Sequence, residues 1–331
     1  MKIKSWLLRR LARLSALLIA ALMLPAWGQP AKFPEKDKTL RLVVPFAAGG
    51  GVDAAARLLG TQLQKQLGLT VVVENKAGAS GTIGGKAVQT APADGYTLLF
   101  SAATHAMTKQ VLAQPPYDPQ TEFAPVARVG EAPLMLVLAN SKPQTKMADL
   151  VSAVRQQPDK WMAGIPAAGA PSHLATLLWA RQAQLKLNYV PYKGTQPALM
   201  DVAGGHTDLL MDSMISLLPM VKGGKVRPIA ITSAKRSALA PDVPTVKESG
   251  LPNFAYASWY GVWAPRDTPA ERVAALNAAV NAATTELAKT GAWSSLGIEP
   301  VTESTEQFKR FIASEVAEAT ELLKSAGFRP E

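Results

Sequence analysis

LRLVVPFAAGGGVDAAARLL, residues 40–59, joins a short apolar run to a glycine-rich turn and then to a helical pattern. The apolar run predicts a buried strand. From Val52 to Leu67 the apolar residues recur at helical spacing, and Gly68 follows where a C-terminal cap is expected. Such a turn exposes the first backbone N–H groups of the helix, and its glycines let a bound group come close. The segment therefore predicts an anion site, and a carboxylate suits the loop better than a pyrophosphate.

Residues 49–54 also match a dinucleotide fingerprint, GxGxxA, with Glu74 at the end of the next strand. Two features disfavour that alternative. Residues 45–48 widen the loop before the first glycine, and Asp53 would face a pyrophosphate with like charge. No Gly-Lys-Ser/Thr follows the turn, which excludes a Walker phosphate loop.

Strand-like and helix-like segments alternate along the chain with short connections. The first block has three predicted strands, LRLVVPF, LTVVVEN and GYTLLFSA, separated by two helices. From about Arg128 the rhythm restarts with five more strands, and two predicted helices close the chain. This alternation predicts an α/β fold in which each domain is a mostly parallel sheet flanked by helices. Because the closing helices need a sheet to cover, residues 29–127 and 253–331 are predicted to form one discontinuous domain, with 128–252 inserted as a second.

The first 28 residues have the pattern of an export signal. Five basic residues precede an apolar run from Leu14 to Leu24, and small residues follow at Ala26 and Gly28. This is typical of a secretory signal peptide cut before Gln29. The pattern leaves open whether a Sec or a twin-arginine route is used. The expected mature protein is soluble and periplasmic, without a lipid anchor because the chain has no cysteine.

The composition excludes several classes of function. Without the leader, 30 Lys and Arg remain against 25 Asp and Glu, and the excess forms no basic run interleaved with aromatics. No nucleic-acid partner is therefore expected. The absence of cysteine excludes disulfides, thiolate metal sites and a cysteine nucleophile.

Polar residues at predicted strand ends and helix starts are candidate ligand contacts. Four of them have a plain structural alternative: an ion pair with Arg57 for Asp53, a helix cap for Ser80 and for Asp212, and a cap or packing role for His173. The candidates drawn from position alone are Asp53, Ser80, Thr82, Thr104, His105, Ser172, His173 and Asp212.

Catalysis finds no support in the sequence. No G-x-S-x-G elbow occurs, and the three histidines lack metal-ligand spacing. Ser172 and His173 are adjacent, so on a helix their side chains diverge and cannot form a nucleophile and base pair. Neither an enzyme, a metal nor a cofactor is expected.

Several ordered segments across the mature chain resemble one family. These are VVPFAAGGGVDAAAR, VVVENKAGASGTIGG, DGYTLLFSAATHA, GAPSHLATLLW, NYVPYKGTQPALMDVAGG and SWYGVWAPRDTPAERVAALN. They resemble the Bug or TctC family, the periplasmic receptors of tripartite tricarboxylate transporters. The resemblance implies a two-lobed periplasmic binding protein of the type II-like, Venus flytrap kind, acting as a monomer. It implies a small organic acid as ligand and a two-component membrane permease as partner. A signalling partner in place of the permease is the alternative.

Carried over to this sequence, the family's ligand contacts fall on both predicted domains. The first-domain set is Phe46, Ala47, Ala48, Gly49, Gly50, Gly51, Ser80, Thr82, Thr104 and His105. The second-domain set is Gly169, Ala170, Ser172, His173 and Asp212, with Thr195 and Pro197 bordering the cleft. Val52 stands where the family often has Thr or Ser, so the identity of the acid does not follow from the resemblance. The role of His206, which replaces a usual apolar residue, does not follow either.

Overall fold

A computed structural model describes residues 33–158 and 160–330. The chain divides into two compact units, residues 1–35 and 36–331, and the account below concerns the second. The predicted signal peptide lies outside the described residues. Among those residues, no helix combines the length and the apolar character that crossing a bilayer requires.

The first lobe is built on a six-stranded sheet in the order β11-β4-β10-β3-β1-β2. Its strands are β1 (Thr39–Val44), β2 (Thr70–Asn75), β3 (Thr97–Ala102), β4 (Phe123–Ala132), β10 (Ser258–Pro265) and β11 (Glu299–Pro300). Its helices are α1 (Gly51–Leu67), α2 (Thr82–Gln89), α3 (Ala103–Ala106), α4 (Thr108–Val111), α9 (Ala270–Lys289), α10 (Ala292–Ser295) and α11 (Thr305–Ser325).

The second lobe is built on a five-stranded sheet in the order β7-β6-β8-β5-β9. Its strands are β5 (Leu134–Ala139), β6 (Met162–Ile165), β7 (Asn188–Pro191), β8 (Leu209–Ser213) and β9 (Val226–Ile231). Its helices are α5 (Met147–Gln156), α6 (Pro171–Gln182), α7 (Thr195–Gly204) and α8 (Met214–Lys222).

Local signals in the sequence place the helix boundaries well. Helix α1 ends at Leu67, and Gly68 adopts the left-handed conformation, with φ 67°, that a glycine cap allows. At the start of α11, the Ser304 hydroxyl accepts a bond from the Gln307 N–H while the Gln307 side chain accepts one from the Ser304 N–H. This reciprocal capping box satisfies two N–H groups that the helix itself leaves open.

Both sheets are mixed rather than mostly parallel. The pairs β1–β2 and β1–β3 are parallel, but β10 runs antiparallel to both β3 and β4. In the second lobe β5 runs antiparallel to β8 and β9. The physical reason is that the chain leaves the first sheet along β4 and returns along β10, so these two neighbours run in opposite directions.

The chain crosses between the lobes twice. β4 ends at Ala132 and β5 begins at Leu134, so Pro133 alone separates the two sheets on the outward crossing. The return lies between Ile231 at the end of β9 and Ser258 at the start of β10. The domain boundaries given by the sequence, at 127/128 and 252/253, stay a prediction.

Each lobe has an apolar core, and one helix contributes to both. Trp179 and Ala175 of α6 pack in the second-lobe core, whereas Leu174 and Leu177 pack with Phe308 in the first-lobe core. Burial of these side chains stabilises each lobe by the usual hydrophobic contribution, roughly 1.5–3 kcal/mol for a large side chain. Helix α6 therefore forms part of the support about which the lobes meet.

Candidate functional site

A small cavity of about 40 Å³ lies between the two lobes. The first lobe contributes Phe46, Ala47, Gly50, Gly51, Val52, Asp53, Ala102, Thr104, Ser258 and Tyr260 to its wall. The second lobe contributes Pro166, Ala170, Pro171, Gly194, Thr195, Asp212 and Ser213. Most of these residues follow the carboxyl end of a strand or begin a helix, which is where open α/β sheets place their ligands.

Three helices begin at the cavity without a side-chain cap. The residues that precede them, Gly50 before α1, Ala170 before α6 and Gly194 before α7, have no side chain that accepts from the helical N–H groups. All three residues line the cavity. The first N–H groups of a helix have no partner inside the helix, and the dipole places positive potential there. The cavity is therefore surrounded by backbone donors from both lobes.

The glycine-rich turn is held in shape by Asp53. Gly49 adopts φ 85°, a left-handed conformation that favours glycine, and its N–H donates to Asp53 Oδ2 at 2.9 Å. Arg57 Nε donates to the same oxygen at 3.0 Å, and Asn75 Nδ2 donates to Oδ1 at 2.9 Å. Burial by itself would raise the pKa of Asp53, but these donors hold it below its ordinary value. Asp53 thus lies on the cavity wall and also pairs with Arg57.

Asp212 has the opposite environment. Its Oδ1 accepts from the Ser213 N–H at 2.7 Å, whereas its Oδ2 is buried and has no hydrogen-bond partner among the described residues. Burial raises the pKa of Asp212 to about 6, an effect that donors from Thr195 and Ser213 only partly offset. Asp212 is therefore a carboxyl group whose protonation is sensitive near neutral pH.

No lysine, arginine or histidine is among the described residues that line the cavity. A bound acid group would consequently meet backbone N–H groups and hydroxyls rather than a side-chain cation. Five hydroxyl residues stand on the wall, namely Thr104, Thr195, Ser213, Ser258 and Tyr260. The Thr104 and Ser213 hydroxyls are buried without a partner among the described residues. Buried hydroxyls of this kind are available to a ligand.

The lobes touch each other around the cavity. Gln196 Nε2 of the second lobe donates to the Gly49 carbonyl at 2.8 Å, and the Ala47 N–H donates to the Lys193 carbonyl at 3.4 Å. A Cβ atom built on Gly51 would lie 2.7 Å from Ser213 Cβ, so the two backbones approach as closely as a glycine permits. The cavity has room for only a few water-sized groups, because one water needs about 10–15 Å³ of this kind of space. The structure is thus a closed form.

Half of the residues predicted as contacts meet at this cavity. Those on its wall are Phe46, Ala47, Gly50, Gly51, Asp53, Thr104, Ala170, Thr195 and Asp212. Those off the wall are Ala48, Gly49, Ser80, Thr82, His105, Gly169, Ser172, His173 and Pro197. Ligand contact by any of them stays a prediction.

The two candidate histidines belong to the cores in this conformation. His105 packs edge-on against Phe123 and Trp263, with ring centroids 4.4 and 4.8 Å away, and burial lowers its pKa to about 3. His173 Nδ1 accepts from the Gly169 N–H at 3.1 Å, and burial lowers its pKa to about 4. Both rings are therefore neutral at neutral pH, and His173 supports the loop before α6.

Ser80 and Thr82 lie in the turn before α2. Ser80 has a positive φ of 52°, inside a short 3₁₀ turn from Ala79 to Gly81. The Thr82 hydroxyl donates to the Ala79 carbonyl at 2.7 Å, which makes it a local bond of the turn. A Cβ on Gly81 would lie 3.4 Å from the tip of the Phe46 ring, so this turn packs behind the cavity wall.

Several wall residues were not predicted. They are Val52, Ala102, Pro166, Pro171, Gly194, Ser213, Ser258 and Tyr260. Ser258 and Tyr260 are two residues apart on β10, a strand that the sequence analysis did not predict, and so share one face. No sequence pattern identified which face of that strand meets the second lobe.

The described residues contain no group of three or more His, Asp or Glu side chains that could hold a metal ion. The chemistry that remains is recognition by backbone dipoles and hydroxyls. A cavity enclosed by two lobes that meet around it is the architecture of a periplasmic binding protein.

Comparison with known proteins supports that class. The protein is similar to the Rpa4515 protein of R. palustris, solved with adipate: the TM-score is 0.85 at 36% identity, covering 90% of this chain and 100% of that one. It is also similar to the periplasmic binding protein BugD, with a TM-score of 0.82 at 34% identity over 88% of this chain and 99% of that one. MatC from Rhodopseudomonas palustris, solved with malate, matches with a TM-score of 0.79 at 32% identity over 86% of this chain and 98% of that one.

The sequence relationship is equally extensive. Residues 55–328 match the model of the TctC family, the tripartite tricarboxylate transporter family receptor. Protein BugT of Bordetella pertussis is 34% identical over 292 residues, which cover 88% of this chain and 90% of the relative. The chain belongs to the TctC family, which is also the Bug family, of periplasmic solute receptors. Members of this family are receptors and not enzymes.

Proposed function

We propose that this protein is an extracytoplasmic receptor that binds a small organic carboxylate between its lobes and delivers it to a tripartite tricarboxylate-type permease. The observation that carries the proposal is the set of three uncapped helix starts, preceded by Gly50, Ala170 and Gly194, around one cavity. Helix starts bind anions by backbone N–H groups and dipole potential. The solved relatives with adipate and malate support the same chemistry.

Closure of the lobes is the proposed mechanism of recognition. A ligand larger than a few waters does not fit the closed cavity of about 40 Å³, so binding requires the lobes to part and then to close to the extent that the ligand allows. Gln196 and Gly49 join the lobes only when they meet, so these contacts favour the closed form. The closed form is the shape that the membrane partner recognises.

The test is binding of acids against matched uncharged analogues. Adipate and malate are the first probes, with their diamides as controls of similar shape. We expect the acids to raise the melting temperature by preferential binding to the folded state, and the amides to leave it unchanged. Isothermal titration then gives the affinity. If neither these acids nor a broad panel of aliphatic, aromatic and amino acids moves the melting temperature, carboxylate recognition is refuted.

Delivery to a permease needs a separate experiment in cells. Deleting the gene should abolish uptake of the labelled acid that binds the purified protein, while metabolism of that acid in a lysate stays normal. A receptor that docks to a signalling partner instead would leave uptake intact and abolish the transcriptional response to the acid. Periplasmic location predicts that the protein recovered from an osmotic-shock fraction begins at Gln29, which mass spectrometry can determine.

A further inference from the structure

A second and larger gap lies between the lobes, on the other side of strand β10. Its volume is about 1040 Å³. Successive residues of a strand point to opposite faces, and β10 shows this: Ser258 and Tyr260 line the cavity, whereas Trp259 lines the second gap. Ala132 and Pro133, at the outward crossing, also line it. We call this gap the hinge groove.

The two walls of the hinge groove carry opposite charges. The acidic residues of its lining all belong to the first lobe, and they are Glu131, Glu299, Glu315 and Glu318. The basic residues of its lining all belong to the second lobe, and they are Arg181, Lys235 and Arg236. Among the described residues, no ion pair joins one wall to the other.

Three of the four carboxylates of the first wall, those of Glu299, Glu315 and Glu318, have no ion-pair partner among the described residues, whereas Glu131 pairs with Arg128. Glu315 Oε2 accepts from Trp259 Nε1 at 3.0 Å, inside the groove. Burial and repulsion from Glu318 and Glu131 raise the pKa of Glu315, while Trp259 and Arg128 act in the opposite direction. Arg128 is itself engaged with Glu131 and Glu303, at 2.7 and 3.0 Å. An approaching cation would therefore be attracted to this wall.

The position of the groove relative to the hinge determines when that attraction acts. The lobes are joined by the crossing segments that separate the cavity from the groove. A rotation about those segments that opens the cavity must bring the walls of the groove together, and closing the cavity must separate them. In the closed form Arg181 already reaches α11, where its Nη1 donates to Ser325 Oγ at 3.0 Å, and Arg236 pairs with Glu248 of its own lobe at 3.0 Å. Lys235 is therefore the basic residue of the groove that stands to gain acidic partners in the open form.

We propose that electrostatic attraction across the hinge groove stabilises the open form of the receptor and so raises the ligand concentration at which the receptor closes. Acidic residues of the first lobe attract basic residues of the second when the cavity is open. Ligand binding has to overcome this attraction, so the unliganded receptor stays open to solutes. Individual exposed ion pairs are weak, and each is expected to change the closed-to-open ratio about two- to fivefold.

The absence of cysteine makes the open–closed ratio directly measurable. Ile83 on α2 and Met200 on α7 are 52% and 59% exposed, one on each lobe, on helices that begin beside the cavity. The chain has no native cysteine, so Ile83→Cys and Met200→Cys give a uniquely labelled pair. Electron–electron distance measurement on spin labels then reports the distribution of the two forms without any ligand, which makes the test independent of the proposed function.

Charge reversal on either wall supplies the perturbation. Glu318→Lys leaves three glutamates and one lysine on the first wall and so weakens its attraction for the second, and Lys235→Glu weakens the attraction from the other side. Both residues are exposed, so folding should be unaffected. We expect each to increase the short-distance, closed population, and the double variant to restore the original distribution. Raising the salt from 50 to 500 mM should also increase the closed population of the parent protein, because salt screens the attraction.

The matched control is Glu321→Lys, an identical charge change on the same helix at an exposed position outside the groove. It should leave the distance distribution unchanged. The proposal is overturned if Glu318→Lys and Glu321→Lys act alike, if salt leaves the distribution unchanged or shifts it toward long distances, or if the double variant does not reverse the single ones. Thermal unfolding of every variant identifies any that fails to fold, and the salt series on the parent protein then decides.

Discussion

Substituting Gly51 by alanine should separate ligand binding from folding. Gly51 is the first residue of α1, and a Cβ there would lie 2.4 Å from Ser213 Oγ, 2.7 Å from Ser213 Cβ and 2.9 Å from the Tyr260 hydroxyl. Ser213 belongs to the opposite lobe, so the clash with its side chain exists only when the lobes are closed. Tyr260 belongs to the same lobe as Gly51, so its hydroxyl has to shift in both forms. Gly51 has no positive φ, and alanine is the better helix former, so the open form should tolerate the change.

The size of the effect follows from the crowding. Forcing an additional methyl into a packed interface costs about 1–3 kcal/mol. If the liganded form brings Ser213 as close to Gly51 as this closed form does, it bears that cost and the open form does not, and the dissociation constant of the bound acid rises about 5- to 150-fold. Isothermal titration with the acid found in the thermal screen measures this change, and the melting temperature without ligand should stay at or above that of the parent protein.

Two further variants test whether contact with the opposite lobe causes the loss of affinity. Gly60→Ala is the control, since it is the same change in the same helix with contacts no closer than 3.4 Å. Ser213→Gly removes the two atoms of the opposite lobe that the new methyl meets, so adding it to Gly51→Ala should recover much of the lost affinity. Unchanged affinity in Gly51→Ala, a parallel loss in Gly60→Ala, or no recovery with Ser213→Gly would refute the argument that the lobes close to this distance.

Three other predictions concern single side chains. Asp212→Asn should raise the free energy of unfolding at pH 7 by up to about 3 kcal/mol, and this gain should disappear by about pH 4. The reason is that a carboxyl group whose folded pKa is raised to about 6 destabilises the fold as the pH rises above its unfolded pKa near 3.8. Denaturant unfolding at both pH values measures the gain, and an equal gain at pH 4 contradicts the prediction. Gln196→Leu should weaken binding of the acid about 2- to 10-fold without changing the ligand-free melting temperature, since it removes one hydrogen bond between the lobes at an exposed position. A lower ligand-free melting temperature would indicate a structural role instead. The folded pKa of His105 is lowered to about 3, so the stability of the protein should fall as the pH drops from about 6.5 toward 3. His105→Leu should lessen this pH dependence of the melting temperature, measured in a pH series of thermal unfolding. An identical pH dependence in the variant would mean that His105 is protonated in the folded protein.

The glycine turn could be read from sequence because its signals are local. A helix start, its periodicity and its glycine cap at Gly68 all lie within one helical length, and the structure places α1 at Gly51–Leu67. The ion pair of Asp53 could also be predicted from the sequence, since Arg57 is four residues away on the same helix. The class of fold and the family follow from such local patterns taken in order.

Strand β4 was not predicted, and neither were the antiparallel pairs that make both sheets mixed. The β4 segment, Phe123–Ala132, contains Pro125 and lacks a clear alternation, and it is held by pairing with β10, more than a hundred residues later. Pairing across such a separation leaves no periodic trace in either strand. The orientation of His105 could not be predicted either: its place after a strand suggested a ligand contact, which stays a prediction, and in this structure its ring packs in the aromatic core.

The sequence by itself determined the helix starts with their unpaired backbone donors, because those depend on neighbouring residues alone. Only the tertiary structure decided that three of these starts meet at one cavity, that Asp212 is buried there without a partner for one oxygen, and that acidic and basic walls face each other behind the hinge. The physical reason is that dipole potential and helix capping are local properties, whereas burial and the convergence of two lobes depend on contacts between residues far apart in the chain.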